Sequence, residues 1–210
     1  MTTIAVVDYG MGNRRSVQKA LEHIGAEAPI TRDHEQIRGA GGIVVPGVGA
    51  FGVAMRNLDE LGLADLLRER AGEGVPLLGI CLGMQLLFER SEELGQSAGL
   101  GLLSGEVTRL DTGGLRIPHI GWNEVSFERP CPLTSGLGDT RSFYHVHSFA
   151  VRPGEPQEVV GTTAYGERFA TIVARDNVLG VQFHPEKSSA SGLALLGNFV
   201  NVCARAVSPA

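Results

Sequence analysis

The sequence is poor in cysteine and in long apolar runs. Its three cysteines in 210 residues are too few and too widely spaced for a disulfide framework. The uncharged stretches 39–55, 74–88 and 188–204 are interrupted by Gly, Pro or polar residues and fall short of the roughly 18 apolar residues of a membrane span. The first ten residues have no basic region before an apolar core, so no secretory signal is indicated. We therefore expect a cytoplasmic protein with reduced thiols and no membrane partner.

The sequence also lacks the marks of nucleic-acid, nucleotide and metal binding. Lys and Arg total 18 against 23 Asp and Glu, and no basic cluster stands out, so we expect no nucleic-acid partner. Gly10-Met11-Gly12 resembles the start of a dinucleotide-binding G-x-G-x-x-G motif, but Arg15 occupies the third glycine position. The sequence contains no Walker P-loop and no Cys/His spacing typical of a metal site. We expect neither a cofactor nor a metal.

Glycine, by contrast, is abundant, with 29 of the 210 residues, about twice its usual share. The first hundred residues alternate short apolar strands with helical patterns, whereas later residues form β-branched and aromatic stretches separated by turns. The predicted helices include 82–93 and 189–206, and the predicted strands include 42–45, 76–80 and 142–151. We predict an α/β fold in one domain, 1–210, with a central, mainly parallel sheet flanked by helices and additional antiparallel strands.

The strongest local signal is Gly79-Ile80-Cys81-Leu82-Gly83, between an apolar strand and a helix. This pattern is a nucleophile elbow with Cys in place of Ser, in which a sharp strand-to-helix turn leaves no room for side chains at the flanking glycines. The helix N-terminus favours the thiolate of Cys81, and the backbone N–H of Leu82 could stabilise an oxyanion. The alternative is that Cys81 is a small buried hydrophobe, the interpretation we adopt for Cys131 and Cys203.

A thiol nucleophile needs a histidine base, and that base needs a third group to set its tautomer. Among six histidines, His184 stands out because an apolar strand delivers it to a strand end, the same kind of position as that of Cys81. Glu186 lies two residues further and would project to the same side in extended backbone. The alternative is a surface His-Pro-Glu turn with no catalytic role.

The segment Gly42-Ile43-Val44-Val45-Pro46-Gly47-Val48-Gly49 repeats the strand-to-glycine arrangement. In elbow enzymes, the second N–H that binds the oxyanion comes from a loop after another strand. The residues 46–49 are the candidate for that loop, and a tight turn without function is the alternative.

These motifs together resemble the class I (triad) glutamine amidotransferases. Within them, the chain is similar to the glutaminase subunits of imidazole glycerol phosphate synthase. The resemblance runs from residue 8 to residue 189 and rests on the stretches DYGMGNRRSVQKALE, PGVGAFGVAM, GICLGMQLLFERSEE, IPHIGWNEV and GVQFHPEKSS. It implies a class I glutamine amidotransferase-like fold and a Cys-His-Glu triad.

The resemblance also implies the reaction. Cys81 would attack the side-chain amide of L-glutamine and release ammonia, after which water would hydrolyse the γ-glutamyl thioester to glutamate. His184 would shuttle the protons, Glu186 would orient it, and Val48 and Leu82 would supply the oxyanion N–H groups. Phe149 stands where the family frequently has Tyr. The implied substrate-binding residues are Gly47, Gly49, Gln85, His147, Ser148 and Phe149.

The same resemblance implies a partner, a (β/α)₈ cyclase subunit that uses the ammonia in histidine biosynthesis and forms a heterodimer with this chain. One alternative is another class I amidotransferase such as the pyridoxal phosphate synthase glutaminase, which would lack the PHIGWN stretch. Another is a non-catalytic interaction subunit with a relict elbow, which the intact triad disfavours. The implied interface residues are Met11, Asn13, His119, Gly121, Trp122 and Lys187.

Overall fold

The computed structural model describes residues 2–207 of the chain. The helices in this range are α1 Arg14–His23, α2 His34–Gly39, α3 Phe51–Glu60, α4 Leu63–Gly72, α5 Leu82–Leu86 and α6 Ser189–Val207. The strands are β1 Ile4–Val7, β2 Ile30–Thr31, β3 Gly42–Gly47, β4 Leu77–Cys81, β5 Arg90–Ser91, β6 Ser97–Ala98, β7 Gly105–Arg109, β8 His119–Phe127, β9 Thr140–His147, β10 Phe149–Pro153, β11 Val159–Tyr165, β12 Glu167–Arg175 and β13 Val178–Val181. Short 3₁₀ turns occupy Pro132–Thr134, Pro156–Glu158 and Pro185–Lys187.

A nine-stranded sheet organises the described residues, in the order β2-β1-β3-β4-β13-β12-β11-β8-β9. The strands from β2 to β13 are parallel, and the strands from β13 to β9 pair antiparallel. A smaller four-stranded sheet has the order β10-β7-β5-β6. The predicted α/β class, a central parallel sheet with helices and added antiparallel strands, is therefore confirmed.

The central parallel strands β1, β3, β4 and β13 are apolar, as expected for a sheet with helices on both faces. In β1, Ala5 and Val7 face the cluster that contains α3 and α4, whereas Ile4 and Val6 face the cluster that contains α1 and α6. All four side chains are fully buried. Within residues 2–207, no helix has both the length and the apolar character needed to cross a bilayer.

The carboxyl ends of three parallel strands meet at one edge of the sheet. Gly47 at the end of β3 pairs in register with Cys81 at the end of β4, and Val181 at the end of β13 pairs with Ile80. This edge is where open α/β sheets bind ligands. The chain therefore delivers the elbow, the second glycine loop and the His-Pro-Glu segment to the same place.

Two sequence predictions of secondary structure are wrong, one at its end and one in its middle. The helix expected over 82–93 stops at Leu86, because the backbone N–H groups of residues 99–103 bind the carbonyls of residues 86–89 that a longer helix would use. The strand expected over 142–151 is two strands, β9 and β10, which belong to different sheets and are separated at Ser148. Both errors come from long-range backbone pairing that local periodicity does not encode.

Replacement of Gly83 by Ala tests how closely the elbow packs. A Cβ at Gly83 would lie 1.7 Å from the carbonyl oxygen of Val45, so the backbone of β3 or α5 must shift. We expect Gly83→Ala to lower the free energy of unfolding by about 3 kcal/mol. The measurement is urea unfolding followed by circular dichroism.

The matched control is Gly197→Ala in the interior of α6, where a Cβ meets nothing within 4 Å. We expect this change to leave stability unchanged or to raise it by up to about 1 kcal/mol, because Ala favours helix over Gly. Equal unfolding free energies for the two variants would contradict the tight-elbow description.

Candidate active site

Cys81 occupies a strained backbone position between β4 and α5. Its φ of 55° and ψ of −111° are unusual for a residue with a side chain, and such conformations cost on the order of 1–3 kcal/mol. A Cβ at Gly79 would lie 2.5 Å from the carbonyl oxygen of Gly83, so both elbow positions require glycine. The turn places the thiol at the N-terminus of α5, at the carboxyl edge of the sheet.

His184 and Glu186 lie beside this thiol. The His184 ring lines the same cavity as the Cys81 thiol, and its Nδ1 lies 3.0 Å from Glu186 Oε1. Both side chains are almost completely buried, at 2% and 0% exposure. His184 is fixed from the backbone as well, because its N–H donates to the carbonyl of Tyr144 and its carbonyl accepts from the Ser188 hydroxyl. The three residues form a Cys-His-Glu chain of contacts.

The environment of His184 favours its charged form. Burial lowers the pKa of the imidazole, but its interactions with the neighbouring Cys81 and Glu186 side chains outweigh that effect and raise the pKa to about 10. A protonated imidazole beside the sulfur favours a thiolate–imidazolium pair, the reactive form of a cysteine nucleophile. The proton on this ring is then available for a leaving group.

A cavity of about 300 Å³ opens above the thiol. Among its lining residues are the two oxyanion candidates, Val48 and Leu82, and two charged side chains, Glu93 and Lys187. A small polar molecule with charges of both signs fits such a cavity.

A second, larger groove of about 590 Å³ is formed by residues 127–139. It is more open to solvent and contains neither Cys81 nor His184. We place the chemistry in the smaller cavity because a nucleophile and a base meet there. Within residues 2–207, no group of His, Cys, Asp and Glu side chains is arranged to hold a metal ion.

Comparison with known proteins decides the family. The family pattern described as "Glutamine amidotransferase class-I" matches residues 5–202. The imidazole glycerol phosphate synthase subunit HisH of Moorella thermoacetica is 55% identical over 199 residues, which cover 95% of this chain and 94% of that protein. HisH of Aquifex aeolicus is 50% identical over 195 residues, covering 92% of this chain and 94% of that protein.

The chain belongs to the class I glutamine amidotransferases, and within them to the HisH subunits. The chain is similar in structure to a protein described as a glutamine amidotransferase, whose crystal structure matches with a TM-score of 0.74 at 26% identity. The match covers 95% of this chain and 98% of that one. The structure of PurLQS from Thermotoga maritima matches with a TM-score of 0.76 at 22% identity, over 96% and 99% of the two chains, and shows the likeness of fold alone.

Most of the expected substrate-binding residues line the cavity of the amidotransferase. The exception is Gly47, which is buried behind the cavity wall, where a Cβ would lie 2.3 Å from the Tyr9 hydroxyl and 3.2 Å from Leu82 Cβ. Its role is to let β3 pass close to the elbow. The residues that line the cavity are Gly49, Gln85, His147, Ser148 and Phe149.

The expected interface residues are at least partly exposed in the structure, with one exception that is buried. Trp122 is 54% exposed beside Ile120 at 58%, so the tryptophan is not a core residue. His119 is the correction: it is 3% exposed, because its ring points inward and stacks on Tyr165, so its side chain is not part of the protein surface. The other expected interface residues, all at least partly exposed, are Met11, Asn13, Gly121 and Lys187.

Sequence reasoning missed several contacts of the site. Asn13, expected only at the interface, donates from its side-chain amide to Glu186 Oε1 at 2.8 Å. Glu93 reaches the cavity and accepts from the backbone N–H of Phe51 at 2.7 Å. The Tyr9 hydroxyl donates to the carbonyl of Pro46 at 2.6 Å and so holds the second glycine loop. Asn13 follows β1, which ends at the same edge of the sheet as the elbow, and this position could have indicated its contact. Nothing in the local sequence pattern indicates the contacts of Glu93 and Tyr9.

The three cysteines differ in environment, which predicts selective labelling. Burial raises the pKa of the Cys131 thiol and raises that of Cys203 to about 12, so both stay protonated at neutral pH. We expect a thiol-alkylating glutamine analogue at pH 7 to label Cys81 and to spare the other two, as measured by mass spectrometry of peptides. Equal labelling of the three cysteines would be inconsistent with a reactive thiolate at the elbow.

The contact between Asn13 and Glu186 predicts a positioning effect. Asn13 has a φ of 75°, so Asn13→Gly keeps the backbone conformation while removing the amide donor. A hydrogen bond to a charged group contributes about 1.5–3 kcal/mol, so we expect kcat for glutamine hydrolysis to fall about tenfold or more, with KM little changed. The measurement is steady-state glutaminase kinetics. Asp176→Gly, at another positive-φ position in the turn between β12 and β13, serves as the matched control. An unchanged kcat in Asn13→Gly would remove Asn13 from the triad's support.

Proposed function

We propose that this chain is the glutaminase subunit of an imidazole glycerol phosphate synthase, hydrolysing L-glutamine to L-glutamate and ammonia. The observation that carries the proposal is the thiol of Cys81, held on a strained backbone turn beside the buried pair of His184 and Glu186. This thiol lines a cavity that contains charges of both signs. The family match over residues 5–202 supports treating residues 1–210 as one amidotransferase domain.

In the first half of the reaction, the thiolate of Cys81 attacks the carboxamide carbon of glutamine and forms an S–C bond. The carbonyl oxygen becomes an oxyanion, which the N–H groups of Leu82 and Val48 stabilise. The protonated His184 gives its proton to the amide nitrogen, the C–N bond breaks, and ammonia leaves. A γ-glutamyl thioester remains on Cys81.

In the second half, water attacks the thioester carbon while neutral His184 takes a proton from the water. The C–S bond then breaks, glutamate leaves, and the thiolate–imidazolium pair is restored. Glu186 holds the ring through Nδ1, so the other ring nitrogen faces the sulfur and the substrate in both halves.

The cavity accounts for recognition of a free amino acid. We assign the α-ammonium group of glutamine to the Glu93 carboxylate, because an acidic group in a cavity pairs with a cation. The Gln85 side-chain oxygen is a second acceptor, because its nitrogen is already used by the Phe149 carbonyl and the Gln182 side chain.

The partner in this proposal is a cyclase subunit of (β/α)₈ fold. Ammonia released into water is protonated and loses its nucleophilicity, so a synthase must receive it through a closed contact. The exposed apolar side chains of Ile120 and Trp122 supply a candidate docking surface near the cavity, which Pro118 of the same segment lines. Relatives named as synthase subunits support this assembly. Three free cysteines fit a reducing, cytoplasmic location.

The test measures glutamate release from glutamine with and without the cyclase subunit and its nucleotide ligand. We expect the partner to raise the rate and Cys81→Ala to abolish it, with Cys131→Ala as the matched control that keeps full activity. Glutamate release that survives Cys81→Ala would overturn the mechanism. A chain that never binds the cyclase would overturn the subunit assignment.

A further inference from the structure

Gln182 is a fully buried polar residue that the triad mechanism leaves without a role. It follows β13, two residues before His184, and its side chain is 0% exposed. Its amide nitrogen lies 3.8 Å from the sulfur of Cys81, within hydrogen-bond range for a sulfur acceptor. The effect of this amide on the sulfur depends on which group of the amide, the NH₂ or the carbonyl oxygen, faces the sulfur.

The backbone carbonyl of Phe149 determines that orientation. The carbonyl can only accept, so the Gln85 group that lies 3.1 Å from it must be the NH₂ group. The same nitrogen of Gln85 lies 3.1 Å from the Gln182 side chain, which must therefore present its oxygen there. The Gln182 NH₂ group consequently faces Cys81.

A pair of histidines supports the other side of the Phe149 carbonyl. His147 Nδ1 lies 2.8 Å from that carbonyl and therefore carries a proton, while burial lowers the pKa of the ring to about 3 and keeps it neutral. His147 Nε2 is then an acceptor, so His119 Nδ1, 3.0 Å away, must donate to it. Burial lowers the pKa of His119 as well.

A second backbone carbonyl determines which groups donate and accept at the other end of this series of hydrogen bonds. The Asn123 amide nitrogen donates to the carbonyl of Ala164 at 2.9 Å and lies 3.3 Å from His119 Nε2. His119 Nε2 must therefore be an acceptor, which agrees with the tautomer deduced from Phe149. The two carbonyls, of Ala164 and Phe149, thus set every donor and acceptor between strand β8 and the thiol.

We propose that Gln182 is a further catalytic residue, whose amide donates to the Cys81 sulfur, and that Gln85, His147 and His119 are positioning residues that hold this amide in its donating orientation. The inference rests on the proposed glutaminase function. The amide stabilises the sulfur as an anion at rest and again when it departs from the thioester. The Val146 carbonyl, 3.7 Å from the sulfur, can accept only from the protonated thiol.

The direct test is the rate at which iodoacetamide alkylates Cys81 at neutral pH, measured by peptide mass spectrometry in the full-length chain. Gln182→Met keeps the size of the side chain but removes the donor, and we expect alkylation of Cys81 to slow about tenfold. Cys131 and Cys203 in the same sample report whether the fold has opened, since their labelling would then rise.

A second variant guards against a folding defect in the first. Gln182→Glu keeps the shape of the side chain but places an acceptor and a negative charge against the sulfur, so we expect an equal or larger slowing. In the complex with the cyclase subunit, both variants should lower kcat for glutamine at least tenfold while KM changes about threefold or less.

A matched pair of His119 variants tests the positioning residues. His119→Leu removes the donor to His147, and we expect kcat to fall about threefold, whereas His119→Asn retains an amide donor in place of Nδ1 and should restore most of the rate. Gln182 variants that are folded, with alkylation and kcat within twofold of the unchanged protein, would overturn the proposal. Activity that survives Cys81→Ala would instead overturn the proposed function, so the two failures are distinguishable.

Discussion

The close approach of α5 to β3 at Gly83 is the constraint on which the site depends. Because the backbone of Gly83 lies against the carbonyl of Val45, the chain can leave β4 only through a sharp turn, and Cys81 takes a positive φ at that turn. The turn aims the thiol over the carboxyl edge of the sheet, where the parallel strands β3 and β13 also end. The second glycine loop and His184 reach the sulfur because those strands are neighbours of β4.

The site contains histidine in two charge states, and the surroundings of each imidazole ring determine its charge. His184 has a carboxylate and a thiol as partners, and its pKa is raised to about 10. His147 has only a backbone carbonyl and another neutral ring as partners, and burial lowers its pKa to about 3. The charged ring moves protons, whereas the neutral ring, with a fixed tautomer, holds polar groups in place.

Sequence patterns predicted the parts of the site that adjacent residues determine. The elbow around Cys81 and the strand before His184 depend on local periodicity and on glycine spacing, and the structure contains both. The early end of α5 and the burial of His119 depend on pairing and stacking with distant segments, which a single sequence does not display. The contact of Asn13 with Glu186 spans 173 positions and was missed for the same reason.

The central claim is that the Cys81 sulfur forms a covalent bond with the substrate. The most direct measurement is rapid acid quenching of the cyclase complex during turnover of radiolabelled glutamine, followed by isolation of the peptide that contains Cys81. The account predicts a γ-glutamyl group in thioester linkage on that peptide, released by hydroxylamine. Label bound to a different residue, or steady glutamate formation with no label on Cys81, would contradict it.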